Sequence, residues 1–365
     1  TYRDRTILAN VVRHVGEAVA AVAAKSEALA EKAMRSVVVE YEQLPPIYDA
    51  EESMKPNAPK IYDDIMLGEE IFPIEKNIAC FREVSEGDVE KGFAEADLIV
   101  ENEFKTGRVY HGQMETKAVV CQTGADGSID VYPTTQSIHN TRQLLGRIFE
   151  IPLNKVNVHR VTLGGSFGSS IQMNSNIPIC VALSLKAKRA VKMVLSREED
   201  MYSHCKYPSV IRIKYGVKSD GTITAGELKT TVDIGAHNIQ AYPLLGCMAG
   251  WFVSLYRMPN LRFEGTAVYT NKVPACAMQG YGNPQVTFAV ESQIDIIAEK
   301  LGIDPIDMRL KNYVGLGETF WGQGPTVRSI IKSCGVEEML VKGRELFDWN
   351  QRTHFKEKTG RYRKG

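Results

Sequence analysis

Val156-Asn157-Val158-His159-Arg160-Val161-Thr162-Leu163-Gly164-Gly165-Ser166-Phe167-Gly168-Ser169-Ser170 is the stretch on which the reading of this chain turns. Its first eight residues are rich in β-branched side chains and predict a strand over 156–163 that runs straight into a glycine-serine loop. Glycine has no Cβ, so such a loop can turn tightly and bring backbone close to a ligand. Successive amides can then converge on an anionic oxygen. A dinucleotide loop would need Gly-x-Gly-x-x-Gly with an acidic residue about twenty positions on. Ser166 breaks that register, and Lys186-Ala187-Lys188 stands where the acid should be. No Gly-Lys-Ser/Thr follows, which excludes a P-loop. For the loop alone, a structural turn without ligand remains open.

Two further segments share the region. Thr134-Thr135-Gln136 ends a β-patterned run, and the Gln136 amide can either donate to an oxo ligand or cap the helix it precedes. Ala277-Met278-Gln279-Gly280-Tyr281-Gly282-Asn283-Pro284-Gln285 reads as a tight turn before a helix. Tyr281 can stack on a planar substrate, although a lone tyrosine is more often half-buried packing. His111, Met114 and Glu115 resemble a metal cluster in composition, but without a second histidine packing is the better reading.

Bulk composition narrows the function classes. The 365 residues suffice for two or three domains, and 44 basic residues balance 44 acidic ones. Such a balance gives no reason to expect nucleic acid or an anionic membrane as partner. The apolar stretch Val15 to Ala24 contains Glu17 and is too short to span a bilayer. The seven cysteines are scattered without a Cys-x-x-Cys, which argues against zinc or iron–sulfur ligation in this chain. Dispersed thiols fit a reducing cytoplasm.

Along the chain, residues 1–52 form a small unit: β-like Val11 to Val22, a helix from Ser26 to Arg35, and a strand from Ser36 to Glu42. Residues 53–77, rich in proline and charge, read as a surface linker. From Ala79 strands and helices alternate. Strands are expected over Leu98 to Lys105, Lys117 to Gln122 and Ser128 to Tyr132, and helices over Gln136 to Phe149 and Ile177 to Lys186. Ile211 to Val217 and Thr222 to Asp233 flank a hairpin turn at Lys218-Ser219-Asp220-Gly221. Val286 to Leu301 is helical, and Asp304-Pro305 opens another helix. The tail from Lys356 to Lys364 is basic.

In this order, the three segments resemble the molybdenum-binding chain of the xanthine oxidase and aldehyde oxidoreductase family of molybdenum hydroxylases. Val12-Arg13-His14-Val15-Gly16-Glu17-Ala18-Val19-Ala20 and Tyr41-Glu42-Gln43-Leu44-Pro45 are similar to the end of that family's hammerhead domain, and His111-Gly112-Gln113-Met114-Glu115 to its His-x-x-Met/Leu-Glu segment. Ser196 to Asp200, Tyr256 to Asn260 and Gly302 to Asn312 also fall where the family has counterparts, as scaffold rather than site. The resemblance implies an α+β fold: the C-terminal part of an α/β-hammerhead domain over 1–52, then a first molybdopterin-binding domain over 78–330, with a C-terminal helix and basic tail over 331–365.

The resemblance also implies a molybdenum-pterin cofactor, in its simple or cytosine dinucleotide form. Gln136, Phe167 and Gln279 would lie at the metal, with Gly165, Ser166, Gly168 and Gly280 completing the cofactor wall. Where the family usually has arginine this chain has Gln279, which removes a positive charge beside an anionic group. Purine-oxidising relatives carry a glutamate at the place of Ile171 and an arginine at that of Cys247. Ile171, Cys247 and Tyr281 would therefore line a substrate pocket unsuited to xanthine. The implied reaction is hydroxylation of an aromatic heterocycle or aldehyde with oxygen from water. The family's base, a glutamate, lies in the second molybdenum-binding half, so no catalytic residue is assigned within this chain. The base is expected on a second molybdopterin-binding chain or a missing continuation, and a [2Fe-2S] subunit and an FAD subunit complete the expected partners. Reductive dehydroxylation of an aromatic acyl thioester on the same fold, and a non-catalytic assembly role, are the alternatives.

Overall fold

The computed structural model describes residues 4–67, 70–321 and 327–351. The architecture is α+β and is built around two sheets. In the larger, strands Ile78–Glu86, Leu261–Tyr269, Ile223–Gly235, Ser209–Val217 and Leu98–Thr106 lie side by side in that order. Ser209–Val217 buries Ile211, Ile213 and Tyr215 at alternate positions, as one covered sheet face requires. The predicted hairpin forms: the Lys218 amide donates to the Thr222 carbonyl at 2.8 Å, and Gly221 takes φ +87°, the left-handed conformation such a turn needs.

Ile223–Gly235 and Leu261–Tyr269 pair in parallel, whereas the other neighbours are antiparallel. Parallel neighbours need a crossover. Here it is the helix Ala241–Ser254, which packs on the sheet beside the helix Asn283–Leu301. The next helix, Pro305–Asn312, starts as its sequence dictates, with Asp304 Oδ1 accepting from the Ile306 amide at 2.9 Å.

The smaller sheet orders Val156–Val158, Ile129–Pro133, Ala118–Thr123 and Val191–Val194. The helix Asn176–Ala187 closes its separate core over Val119, Ile129 and Val131 through Ile177, Cys180 and Val181. Ile129–Pro133 and Val156–Val158 run parallel. Their C-terminal ends therefore release Thr134–Gln136 and the chain leading to Gly164–Ser170 on the same side, which brings those two segments together.

Several expectations change. Val11 to Val22 and Ser36 to Glu42 form no strand. Among the described residues they find no ladder partner, and Val38 is 85% exposed. A strand pattern without a neighbouring backbone does not make a strand. The strand predicted over 156–163 ends at Val158, after which the chain continues without regular structure. Residues 53–77 are not a loose surface linker. Ile61, Tyr62, Ile65 and Ile74 join the main core, and strands Asp64–Leu67 and Glu70–Pro73 pair with each other. The Asn77 side chain holds the bend by accepting from the Ile61 amide and donating to the Pro59 carbonyl, both at 2.9 Å. The segment's turn formers are real, but the apolar residues between them carry the burial. The helix Val336–Leu346 occupies the C-terminal region, and the basic tail lies outside the described residues.

Beside the smaller sheet, Lys117 Nζ meets Asp200 Oδ1 at 2.8 Å with side chains 2% and 0% exposed. Removing one partner of such a pair strands a buried charge, at a cost of about 3–5 kcal/mol. K117M is expected to lower the unfolding free energy by that amount in chemical denaturation. A loss below about 1 kcal/mol, the range of exposed pairs, would place the pair in a far more solvated setting.

Candidate functional site

The glycine loop is clamped at its start by the segment that precedes the smaller sheet. Gly164 donates its amide to Glu115 Oε2 at 2.6 Å, and its carbonyl accepts from the Glu115 amide at 3.2 Å. A Cβ at residue 164 would stand 2.6 Å from the Glu115 Cβ, so only glycine allows this approach. His111 reaches the third segment by donating from Nε2 to the Ala277 carbonyl at 2.8 Å. His111 and Glu115 are thus both engaged with backbone, and Met114 is 88% exposed. The three do not converge as metal ligands: His111 and Glu115 hold backbone, and Met114 faces solvent.

The loop's own geometry is that of an anion cradle. Gly165, Phe167 and Gly168 have φ of +103°, +54° and +112°. Among the described residues, the amides of Gly165, Ser166, Phe167 and Gly168 find no protein acceptor. Four consecutive donors without a protein acceptor, with positive φ at Gly165, Phe167 and Gly168, are free to meet a ligand oxygen. Gly168 is also pressed against the start of the third segment: a Cβ there would lie 2.5 Å from the Ala277 carbonyl. The Gln279 amide donates to the Phe167 carbonyl at 2.9 Å, locking the two segments together.

Gln136 faces this nest with a fixed side chain. Its backbone amide donates to the Ser170 carbonyl at 2.9 Å, and its Oε1 accepts from the Ser166 hydroxyl at 2.6 Å. Ser166 Oγ in turn accepts from the Ser170 amide at 2.9 Å, so the hydroxyl proton is directed to Gln136. Pinning Oε1 leaves the Nε2 donors turned outward with no protein partner among the described residues. Gln136 does not cap the following helix, which begins at Ile138 with no side-chain cap.

Of the substrate-pocket residues, Tyr281 and Cys247 interact with each other, and Ile171 follows the loop. Gly282 presses on the helix carrying Cys247: a Cβ there would lie 2.7 Å from Met248 Cγ. This contact brings Tyr281 and Cys247 to the same corner. Tyr281 is in the left-handed region at φ +43°, its hydroxyl donates to the Gln240 carbonyl at 2.6 Å, and its ring meets Tyr207 edge-on. Burial pushes the Cys247 thiol up, opposed by the Arg82 guanidinium, whose NH1 is 2.5 Å from the position of a Cβ on Gly246. The wall expected to be apolar therefore has an arginine beside it. Ile171 stands at the far end of the loop, its amide donating to the Gly168 carbonyl at 3.2 Å.

The comparisons with known proteins identify the family. Residues 71–313 match the family described as Molybdopterin cofactor-binding domain, and residues 1–45 match the Aldehyde oxidase and xanthine dehydrogenase, a/b hammerhead domain. The chain belongs to the xanthine oxidase family of molybdenum-cofactor-binding proteins. It is 32% identical over 350 residues to the xanthine dehydrogenase molybdenum-binding subunit of Escherichia coli O157:H7, covering 96% of this chain and 44% of that protein. It is 30% identical to the nicotinate dehydrogenase large molybdopterin subunit of Eubacterium barkeri, covering 92% of this chain and 75% of that one. The aldehyde oxidoreductase structure from Desulfovibrio gigas superposes with TM-score 0.83 at 26% identity, over 92% of this chain and 36% of that one. The chain thus spans less than half the length of several of the relatives it matches.

Within this family frame, the sequence named Ser166 as part of the cofactor wall, Glu115 as packing and Asp200 as scaffold, but not what each of them holds in place. Glu115 and Ser166 hold the loop and Gln136, and Asp200 holds the Glu115 segment: Gln113 Nε2 donates to Asp200 Oδ2 at 2.6 Å, Tyr110 donates to the same oxygen, and Lys117 lies on the other. Asp200 stands in the Ser196–Asp200 stretch, where a carboxylate with a lysine and a tyrosine far upstream offers no local signal.

Two buried histidines lie under the loop. Burial, with further pressure from the Lys117 charge, holds His111 and His204 below the usual imidazole range, and burial likewise pushes His14 down to about 4. Their neutral forms are favoured in the folded state, so the unfolded chain binds more protons below its own pKa of about 6.5. Stability is expected to be level above about pH 6.5 and to fall as pH drops from there toward about 4, by up to about 1.4 kcal/mol per pH unit for each histidine. Urea unfolding across this window checks it, and H111Q should flatten the slope by about one proton; an unchanged slope would show that His111 is not among the groups titrating.

Proposed function

We propose that the nest at Gly165–Gly168, together with Gln136 and the Gln279–Gly280 turn, forms one wall of a molybdenum-pterin site in an oxidative hydroxylase. The observation carrying this reading is the set of four unpaired loop amides facing a glutamine whose oxygen is pinned and whose Nε2 is not. Such donors fit a group that presents oxo and other anionic oxygens. When bound, that group supplies Lewis acidity and a two-electron sink for hydroxylating a carbon with oxygen from water.

In this reading Gln136, Phe167 and Gln279 lie at the metal, Gln136 by its side chain and the other two by backbone. Gly165, Ser166, Gly168 and Gly280 shape the remaining wall. Preorganised donors of this kind need no rearrangement as charge develops, which is the source of their effect on rate. Tyr281, held by its hydroxyl, offers a fixed aromatic face to a flat substrate. Ile171 and the Cys247 thiol bring no carboxylate or guanidinium of their own to a purine. An aromatic heterocycle or aldehyde is the substrate class this favours over xanthine, although several relatives carry xanthine in their names. The quinoline 2-oxidoreductase of Pseudomonas putida 86 superposes with TM-score 0.84 over 96% of this chain, at 25% identity and 44% of its own length.

The base, the remaining cofactor contacts, the iron–sulfur clusters and the FAD are assigned to partner chains or to a continuation of this one. Among the described residues, no helix is long and apolar enough to cross a membrane. Molybdenum and pterin quantification on the native complex, followed by a substrate screen read by acceptor reduction, tests the proposal. Near-stoichiometric molybdenum is expected in the complex and little in this chain expressed alone; stoichiometric cofactor in the isolated chain would contradict the shared site. Q136L is expected to keep the cofactor and lose about 10²–10³ in kcat, the usual cost of removing one such donor.

A further inference from the structure

A second cluster of donors lies away from the loop, where the N-terminal segment meets the end of the longest strand. His14, Glu17 and His237 bring three potential ligand atoms within 4.8 Å of one another, and all three residues are buried or half-buried. The side chains of His237 and Glu17 are 1% and 10% exposed. Their hydrogen bonds define which ring nitrogens face inward.

His14 Nδ1 is 2.8 Å from the Val15 carbonyl, so it carries the proton and leaves Nε2 with a lone pair. His237 Nδ1 is 2.8 Å from the Tyr62 hydroxyl and 3.1 Å from the Asp4 carbonyl. The Tyr62 oxygen itself lies 2.8 Å and 2.9 Å from the Ala236 and Asp4 carbonyls, and its single proton goes to one of them. When that hydroxyl accepts from His237, Nδ1 carries the ring proton. Nε2 of His237 is 2.8 Å from Glu17 Oε1. In that tautomer Nε2 turns a lone pair toward the carboxylate, and a shared cation satisfies both; in the other tautomer Nε2–H donates to Glu17 directly.

Two imidazoles that each donate Nδ1–H outward, one to a carbonyl and one to a hydroxyl, while turning Nε2 toward a shared carboxylate reproduce the outer hydrogen bonds that orient metal-bound histidines. We infer that His14, Glu17 and His237 bind a divalent transition cation of the zinc class through Nε2, Oε1 and Nε2. Glu17 acts through one oxygen, because Oε2 accepts from the Arg13 amide at 2.7 Å. Imidazole and carboxylate donors suit zinc, with water in a fourth position. The ion ties residues 14–17 to the strand end at His237 and acts as a structural staple.

The test uses the native complex, loaded with zinc sulfate and dialysed, with metals counted by mass spectrometry. About one zinc per chain beyond the molybdenum and iron content is expected. E17Q and H14Q should each weaken zinc retention at least about tenfold while leaving molybdenum content unchanged. E17Q keeps the side-chain shape and decides the matter if H14Q does not fold. Cobalt(II) in place of zinc should give visible absorption that E17Q abolishes. Zinc at background after loading, or wild-type retention in E17Q, would overturn the site and leave a direct His237–Glu17 hydrogen bond.

Discussion

The Asp200 carboxylate is the constraint on which the rest of the site depends. It is fully buried and meets Lys117, Gln113 and Tyr110, while Arg197 from its own helix donates to the Gln113 and Met114 carbonyls. A buried carboxylate tolerates this position only when its oxygens are fully engaged. Meeting that condition nails down residues 110–117, and those residues in turn hold the glycine loop through Glu115 and the third segment through His111. The loop's strained backbone, with Phe167 in the left-handed region, is maintained by this surround rather than by its own preferences.

The two sheets divide the work of presenting the site. The smaller one delivers Gln136 and the glycine loop from adjacent parallel strand ends. The larger one delivers Gln279 to Gly282 from the turn that opens the helix Asn283–Leu301. Their meeting line, stitched by the Gln279 amide on the Phe167 carbonyl and by the Gly168–Ala277 contact, is the wall proposed for the cofactor. In the proposed site, the cofactor is the acceptor for the amides that the protein leaves unpaired.

Much of this was legible from residues close together in sequence. The glycines announce the loop, the Lys218–Gly221 turn announces the hairpin, and Asp304-Pro305 announces a helix, because each signal acts over a few positions. The helix Ala241–Ser254 carried no such mark: it is buried at nine of its positions, from Ala241 to Val253, and has no polar stripe for periodicity to reveal. The packing of residues 53–77 was hidden for the opposite reason, as turn formers masked the few apolar residues that enter the core. Gln136 was readable as a candidate, but its orientation depends on Ser166, thirty residues away in the chain. The Asp200 network draws on Tyr110, Gln113 and Lys117, and no local pattern encodes it.

The central claim is that the loop amides and the Gln136 Nε2 face the molybdenum. Anomalous diffraction from crystals of the native complex at the molybdenum absorption edge tests it most directly. The account predicts a single strong peak per chain within coordination-sphere reach of Gln136 Nε2 and the Phe167–Gly168 backbone. A peak elsewhere, with the nest and Gln136 facing only solvent or protein, would contradict it.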